Sequence, residues 1–322
     1  MKIAIILITF NQEKFILEAL DGIRLQTRTP DEVVIADDGS KDRTQDLILA
    51  YVAQHNLERK WKIIFSENNK GLNENLQGGI NVITSDVIIP LAGDDVSLPN
   101  RCAVAEQIFL SHPDVNHSVT AGYVIDETGE LIKTINCQDK IYTDPFLAIK
   151  LGFPPAPPYG SAWRKVLFDV FGKLRFDIPN EDDQMGFRGM LLGGFLISSE
   201  KTYKYRVHEK SMSSWQRNMS SDELYFQQFK KNQKIRLANI LWWKDSLEKI
   251  ERKDKLYLLE SLAFKADFYK FMGAIDDHSI FSRIIHLYRC RRVLCRRDLV
   301  YGLAGKIGIL GWRRFRQMRG VK

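Results

Sequence analysis

Cysteine is scarce in this sequence, with four residues in 322. None of them forms a Cys-Xaa-Xaa-Cys pair and no group of histidines stands beside them, which argues against a zinc site. Low cysteine content favours a reducing compartment over a disulfide-stabilised secreted fold. The sequence also lacks a run of about 18 apolar residues, so it predicts no transmembrane helix.

A glycine-rich phosphate loop is missing where the first strand is predicted to end. The chain reads Thr-Phe-Asn-Gln-Glu at residues 9–13, whereas a nucleotidyltransferase would be expected to cradle its triphosphate with glycines there. The signatures of RRM, KH and helix-turn-helix modules are missing as well. These absences argue against a nucleotidyltransferase, and no nucleic acid partner is expected.

Acidic charge is nearly missing from the end of the chain. Residues 283–322 contain twelve Lys and Arg and one acid, Asp298, which gives a local charge of about +11 against +7 for the whole chain. The rest of the chain is therefore mildly acidic. Arginines alternate with apolar residues in this segment, which predicts a helix lying on an anionic membrane surface without spanning it. A solvated basic helix packed on the rest of the protein is the alternative.

The first half of the chain alternates strand and helix patterns. Apolar runs at residues 3–8, 32–36, 62–65 and 87–91 predict four strands that are buried on both faces. Helical patterns lie between these runs, and Asn11 is expected to cap the first helix. Such alternation predicts a doubly wound, mostly parallel sheet with helices on both faces.

The middle and the end of the chain follow other patterns. Residues 117–125 and 131–135 flank an Asp-Glu-Thr-Gly sequence and predict a hairpin. The proline-rich stretch 152–160 predicts a stiff loop, either a domain seam or an active-site wall. From Ser221 onward, apolar residues at spacings of three and four predict a helical C-terminal region.

Acidic residues follow the predicted strands, where a parallel sheet gathers its ligands. Asp37 and Asp38 come directly after the second strand, Asp94 and Asp95 follow the fourth, and the Glu-Asp-Asp sequence at 181–183 precedes an apolar helical pattern. Crowded carboxylates are costly unless a cation neutralises them, and hard oxygen ligands favour Mg²⁺ or Mn²⁺. Each motif alone is more typical of a turn or a solvated helix N-terminus, so the hypothesis rests on their order.

In this order the motifs resemble a known family. The sequence is similar to the family 2 glycosyltransferases of bacterial polysaccharide type, which have the GT-A fold. The motifs that carry the resemblance are Thr9-Phe10-Asn11, Asp37-Asp38-Gly39-Ser40, Asn69-Lys70-Gly71, Leu91-Ala92-Gly93-Asp94-Asp95, Glu181-Asp182 with Arg188, and Tyr205-Arg206-Val207-His208 followed by Ser213.

The resemblance implies an inverting transfer of a sugar from a nucleoside-diphosphate donor to an acceptor hydroxyl. The residues that it implies for the nucleotide sugar are Thr9, Asn11, Asp37, Asp38 and Asp94. It further implies that the donor is bound with Mn²⁺ or Mg²⁺.

Other residues are assigned to the metal and the chemistry by the same resemblance. Asp95 corresponds to the metal-binding acid, and His208 is a further candidate ligand. Asp182 corresponds to the general base that deprotonates the acceptor. Glu181 and Arg188 are candidate supporting residues, and a purely structural ion pair is the alternative for Arg188.

Two positions depart from the pattern of many relatives. Ala92 stands where a first acid often precedes the metal-binding Asp, so metal binding must depend on Asp94 and Asp95. Residues 75–77 read Asn-Leu-Gln in place of Ala-Arg-Asn. Neither departure removes the base or the last metal ligand, so an active enzyme is expected.

The resemblance covers roughly residues 1–215, and the helical pattern and the basic charge set the expectations for the rest of the chain. Residues 1–215 are expected to form the glycosyltransferase domain, with a nucleotide-sugar-binding half at about 1–115 and an acceptor half at about 116–215, and residues 216–322 a helical region with the basic tail. The acceptor is expected to be a glycan or lipid-linked glycan in surface polysaccharide synthesis. The enzyme is expected to be cytoplasmic and peripheral on the inner face of the cell membrane. A non-catalytic scaffold or binding protein with a membrane- or nucleic-acid-binding tail is the alternative.

Overall fold

The computed structural model describes residues 1–155, 159–178, 181–209 and 221–318. The chain divides into two compact units, the first formed by residues 1–143 and 156–211 and the second by residues 144–155 and 212–322. The expected domain boundary at 215 and the motif residue Ser213 lie outside the described residues. The division at 215 therefore stays a prediction.

The first unit is built on a mixed sheet. Its strands in the described residues are β1 (Ile3–Thr9), β2 (Glu32–Asp37), β3 (Trp61–Phe65), β4 (Val87–Ala92), β5 (Val96–Ser97), β6 (His117–Ile125), β7 (Leu131–Ile135), β8 (Lys140–Tyr142), β9 (Ala162–Arg164) and β10 (Phe195–Arg206). The order is β3-β2-β1-β4-β9-β6-β10-β5, with β7 beside β6 and β8 beside β10. The run from β3 to β4 is parallel, as is the long pair β6–β10, whereas the short strands join in antiparallel pairs.

Helices cover both faces of this sheet. They are α1 (Ile16–Arg24), α2 (Thr44–Gln54), α3 (Leu72–Ile80), α4 (Arg101–Ser111), α6 (Val166–Phe171) and α7 (Glu181–Leu191), while α5 (Pro145–Leu151) belongs to the second unit. Ile5 of β1 joins a core cluster with residues of α1, α2 and α4. Its neighbour Ile6 points to the other face, where a Cβ on Gly79 of α3 would lie 2.3 Å from Ile6 Cδ1. Alternate residues of one strand thus serve two layers, as the continuous apolar run predicts.

The predicted cap of the first helix is wrong. Helix α1 begins at Ile16 with Phe15 in the capping position and no side-chain cap there. Asn11 instead adopts a left-handed conformation with a φ of 53°. Its N–H donates to Ser40 Oγ at 2.8 Å, and its Oδ1 accepts from the Lys41 N–H at 2.8 Å. Asn11 therefore joins the loop after β1 to the loop after β2.

The second unit is helical, as the pattern after Ser221 predicts. Its helices are α5, α8 (Asp222–Glu248), α9 (Lys255–Gly273), α10 (Ile280–Cys290) and α11 (Arg296–Met318). A buried ion pair joins α9 to the start of α11, because Lys265 Nζ donates to Asp298 Oδ2 at 2.6 Å. The kink at Gly305 divides α11. Among the described helices, none has the length and apolar character that crossing a membrane requires.

A buried histidine on β6 gives a test of the fold. His117 is 1% exposed and its ring lies 4.7 Å from that of Phe195. Burial lowers the pKa of His117 from 6.5 to about 3. Below pH 6.5 the unfolded chain takes up a proton at this residue and the folded chain does not, so His117 lowers the free energy of unfolding as the pH falls toward 3.

We predict that His117→Gln makes the acid loss of stability shallower by up to about 1.4 kcal/mol per pH unit in this range. Urea unfolding of both proteins at several pH values measures the difference, and His112→Gln, at an exposed histidine, is the matched control. Parallel curves for His117→Gln and the unmutated chain would contradict a buried, neutral His117.

Candidate active site

Three neighbouring parallel strands bring their carboxyl ends together at one edge of the sheet. Thr9 at the end of β1 lies in register with Asp37 at the end of β2. The Asp38 N–H donates to the Thr9 carbonyl at 2.9 Å, and the Gly93 N–H donates to the Ile8 carbonyl at 2.8 Å. The loops after β2 and β4 are thus each hydrogen-bonded to the end of β1.

Thr9 presents a buried hydroxyl at this junction. Its Oγ1 has no hydrogen-bond partner within the described residues. A Cβ on Gly93 would lie 2.7 Å from that oxygen, so the bare glycine leaves room beside it. A buried hydroxyl costs free energy unless it is paired, so Thr9 is suited to receive a ligand group.

Asp37 is fully buried and organises the loop after β2. Its Oδ1 accepts from the Ser40 N–H at 2.9 Å and from Gln45 Nε2 at 2.6 Å, and its Oδ2 accepts from Ser40 Oγ at 2.5 Å. Because Ser40 also accepts from the Asn11 N–H, this carboxylate supports the loops after both β1 and β2.

Asp38 connects β2 to the loop before α3. Its two oxygens accept from the N–H groups of Lys70 and Gly71, each at 2.8 Å. Gly71 has a φ of 92°, which a glycine adopts without strain. Asn75 belongs to the sequence at 75–77 that departs from the family pattern. Its side-chain amide donates to the Ala36 carbonyl at 2.8 Å and so attaches α3 to β2.

The acidic pair after β4 lies beside the end of β10. Asp94 Oδ2 and His208 Nε2 are 2.9 Å apart. Asp95 Oδ1 accepts from the Arg206 N–H at 2.8 Å. Burial and the neighbouring charge of Asp94 raise the pKa of the Asp95 carboxyl well above its usual range. The fold therefore brings His208 to the Asp94-Asp95 pair, although more than 110 residues separate them in sequence.

Arg206 is the buried group that holds this pair in place. Its Nε donates to the Asp94 carbonyl at 2.9 Å, and its Nη1 donates to the carbonyls of Asp126 and Glu127 in the β6–β7 turn. Its Nη2 pairs with Glu18 of α1. The sequence motif includes Arg206, but no pattern in the sequence indicates these partners.

Asp182 lies at the start of α7, next to buried polar groups that the sequence analysis missed. Ser161 Oγ donates to Asp182 Oδ1 at 3.2 Å and lies 3.3 Å from His117 Nε2. Burial and the charges of Glu181 and Asp183 raise the pKa of Asp182, which Ser161 partly offsets. Burial also raises the pKa of Glu181, to about 7. The carboxyl of Asp182 therefore holds a proton more strongly than an exposed aspartate does.

Arg188 supports α7 from behind. It is fully buried, and its guanidinium donates to the carbonyls of Phe171, Gly172 and Lys173 at 2.9 to 3.1 Å. These bonds attach α7 to the segment after α6. The supporting role expected of Arg188 at the site stays a prediction.

Tyr159 relates the two acidic groups to each other. Burial raises the pKa of Tyr159 to about 12, and the charges of Tyr205, Asp182 and Asp95 add to the effect. Its ring stacks on Tyr205 at 4.3 Å. Arg206, whose N–H binds Asp95, follows Tyr205 directly, and Ser161, which donates to Asp182, lies two residues after Tyr159. Tyr159 belongs to the stiff loop predicted at 152–160, of which residues 156–158 lie outside the described residues.

The side chains are better suited to a cation that a bound ligand helps to coordinate than to a metal ion that the protein coordinates alone. In the described part of the chain, no group of three His, Cys, Asp or Glu side chains is arranged to hold a metal ion. Asp94 and Asp95 nevertheless place two carboxylates side by side, one with its pKa raised. Such a pair is the hard oxygen donor set of Mg²⁺ or Mn²⁺ sites in which a bound phosphate supplies further oxygens.

Part of this chain is similar in sequence to curated proteins. An uncharacterized glycosyltransferase of Nostoc sp. is 29% identical over 178 residues, which are 53% of this chain and 53% of that protein. An uncharacterized glycosyltransferase of Haemophilus influenzae is 26% identical over 184 residues, which are 56% of this chain and 59% of that protein. The chain thus spans little more than half the length of these relatives.

Solved structures share the fold over nearly the whole chain. S. aureus TarS 1–349 in complex with UDP-GlcNAc has a TM-score of 0.61 at 17% identity, covering 99% of this chain and 92% of that one. The mannosyltransferase PcManGT from Pyrobaculum calidifontis, in complex with GDP-Man and Mn²⁺, has a TM-score of 0.54 at 13% identity, covering 100% and 88%. The expected GT-A-like fold with a C-terminal helical region is confirmed.

The family model described as "Glycosyl transferase family 2" matches residues 4–169, from β1 through the acidic loops to α6. This match extends over half of the chain and contains the strand ends that carry Thr9, Asp37 and Asp95. The chain belongs to glycosyl transferase family 2.

Proposed function

We propose that this chain is an inverting glycosyltransferase that uses a divalent cation and a nucleoside-diphosphate sugar. The observation that carries the proposal is the placement of Tyr159, whose ring stacks on Tyr205 beside the Arg206 that binds Asp95, and which lies two residues before the Ser161 that donates to Asp182. Metal binding and general-base catalysis need carboxylates on opposite sides of one reacting sugar. Two acidic groups beside one half-buried tyrosine are suited to that division of roles.

Asp95 and Asp94 are the residues that would hold Mn²⁺ or Mg²⁺, with His208 as a further ligand. When bound, the cation would offset the charge that develops on the leaving diphosphate. Arg206 keeps the two carboxylates in place through the Asp94 carbonyl and the Asp95 side chain. His208 Nε2 lies 2.9 Å from Asp94 Oδ2, which places the imidazole beside these carboxylates.

Thr9, Asn11, Asp37, Asp38 and Asp94 form the proposed nucleotide-sugar pocket. Its support is the junction of the loops after β1, β2 and β4, where the hydroxyl of Thr9 is buried and free to pair with a ligand. Both carboxylate oxygens of Asp37 and both of Asp38 accept hydrogen bonds within the protein. These two residues therefore contribute chiefly by holding the pocket's shape. Binding of UDP-GlcNAc by TarS and of GDP-Man by PcManGT supports a nucleotide-sugar donor here.

Asp182 is the proposed general base. As the acceptor oxygen bonds to the anomeric carbon, its proton moves to the Asp182 carboxylate, and the bond between that carbon and the diphosphate oxygen breaks. A raised pKa suits this role, because it strengthens the affinity of the carboxylate for the proton. Ser161 holds one carboxylate oxygen, and Arg188 attaches α7 to the segment after α6. Glu181, the neighbour of Asp182, is a proposed supporting residue.

We further propose a glycan or lipid-linked glycan acceptor in surface polysaccharide synthesis, with the enzyme peripheral on the cytoplasmic face of the cell membrane. The support is the positive charge of residues 283–322, which suits an anionic membrane surface. An assay must therefore test different donor sugars, different nucleotide bases in the donor and different acceptors.

We predict that Asp95→Asn abolishes transfer and lowers Mn²⁺-dependent affinity for a nucleoside diphosphate by at least about 100-fold, because a divalent site loses a formal charge. Isothermal calorimetry with UDP and GDP, with and without Mn²⁺, measures the affinity. Asparagine keeps the oxygen that accepts from the Arg206 N–H. Asp46→Asn, at an exposed position of α2, is the control. An unchanged metal-dependent affinity would remove Asp95 from the metal site.

We predict that Asp182→Asn lowers turnover by at least about 10²–10⁴-fold while donor binding stays near that of the unmutated chain. The amide keeps an oxygen for Ser161 but accepts no proton from the acceptor. Nucleoside diphosphate release measures turnover, and calorimetry measures donor binding. If donor binding and turnover disappear together, Asp182 is a ligand or a structural residue and not the base.

A further inference from the structure

Helix α10 carries a face of large apolar side chains that remain exposed. Five residues form this face, and each has an exposed fraction between 49% and 71%: Ile280, Phe281, Ile284, Ile285 and Tyr288. We call them the α10 face. With about 100° between successive residues of a helix, they occupy one continuous stripe about 140° wide. Isolated exposed apolar residues are ordinary, whereas a contiguous stripe of this size marks an interaction site.

The opposite side of α10 is anchored in the second unit, which fixes the direction of the α10 face. Leu287 and Cys290 are buried. A Cβ on Gly302 of α11 would lie 2.5 Å from Leu287 Cδ2, so the two helices are in close contact there. Arg283 turns inward, and its guanidinium donates to the carbonyls of His278 and Ile275. The α10 face is thus the outer side of a packed helix.

Positive charge lies at the C-terminal end of the α10 face. Residues 278–297 contain six arginines and no acidic residue, and the exposed Asp276 and Asp277 precede them at the other end of the helix. Arg289 follows Ile285 by one helical turn, and Arg289, Arg291 and Arg292 are exposed. The Arg291 guanidinium lies 4.0 Å from the centre of the Tyr288 ring, so charge and aromatic surface meet at the end of the stripe.

We infer that the α10 face is the surface by which this protein inserts into the headgroup region of an anionic membrane. A helix that presents large apolar side chains flanked by arginines lies in the interface plane, with its apolar face among the acyl chains. Anionic lipids complement the arginines. A second copy meeting this face would place two arginine clusters against each other, and the like charges would oppose that contact.

The inference makes the expectation for residues 283–322 more specific. Several apolar residues of that segment are buried in the second unit and are not available to lipid; they are Leu287, Val293, Leu294 and Ile309. Two of the exposed ones, Ile280 and Phe281, precede it. Residues 319–322 lie outside the described residues. Removing the segment would expose the partner of Asp298, Lys265, so point variants of the full chain test the surface better than a truncation.

Flotation of the full chain with vesicles tests the inference. The vesicles contain either phosphatidylcholine alone or equal parts of phosphatidylcholine and phosphatidylglycerol. We expect the chain to float with the anionic vesicles, less so at high salt, and Phe281→Glu with Ile285→Glu to weaken this binding by at least about tenfold. Leu256→Glu, at a position 72% exposed on α9 of the same unit, should float like the unmutated chain.

Thermal melting and sedimentation accompany the flotation. Both glutamates replace exposed side chains, so the double variant should melt with the unmutated chain. Three outcomes would overturn the inference: no binding to anionic vesicles, equal binding by the double variant, or a dimer that the double variant dissociates. The inference rests on the proposed function for its membrane-bound acceptor, and Mn²⁺-dependent binding of UDP or GDP to the same proteins separates the two. Failure of vesicle binding with intact nucleotide binding contradicts the membrane surface alone.

Discussion

The candidate site depends on one buried cation, the guanidinium of Arg206. A buried charge is tolerated when hydrogen bonds satisfy it, and Arg206 meets this condition through Glu18, the Asp94 carbonyl and the β6–β7 turn. Its backbone N–H also binds Asp95 Oδ1. Because these partners come from α1, the loop after β4 and the hairpin, a single side chain sets the position of the acidic pair relative to the rest of the first unit.

The sheet supplies the other constraint. Parallel pairing of β2, β1 and β4 places three strand ends side by side, and the loops after β2 and β4 are each hydrogen-bonded to the end of β1. The two departures from the family pattern fit into this frame. Ala92 ends β4 without adding a third carboxylate, and Asn75 uses its side chain to fasten α3 to β2. The candidate pocket is therefore held by backbone and buried polar contacts, and the Thr9 hydroxyl stays unpaired within the described residues.

Much of the fold could be predicted because buried parallel strands appear as continuous apolar runs, and β1 to β4 begin and end within two residues of the predicted bounds. Asn11 was misjudged because a cap and a left-handed turn favour the same residue type, and only the contacts with Ser40 and Lys41 distinguish them. The partners of Asp182 were missed for another reason. Ser161 lies beside His117 because β9 pairs with β6, and its hydroxyl reaches Asp182, 21 residues further along the chain; local patterns record neither contact.

The central claim is that Asp95 and Asp182 serve one reacting sugar, the first through a metal ion and the second as the base. A crystal structure of the chain grown with Mn²⁺ and the nucleotide sugar that binds most tightly tests it most directly. We expect the manganese anomalous peak at the Asp95 carboxylate, between that side chain and the diphosphate, with Asp182 on the opposite side of the sugar. A peak away from Asp95, or a donor whose anomeric carbon lies far from Asp182, would contradict the claim.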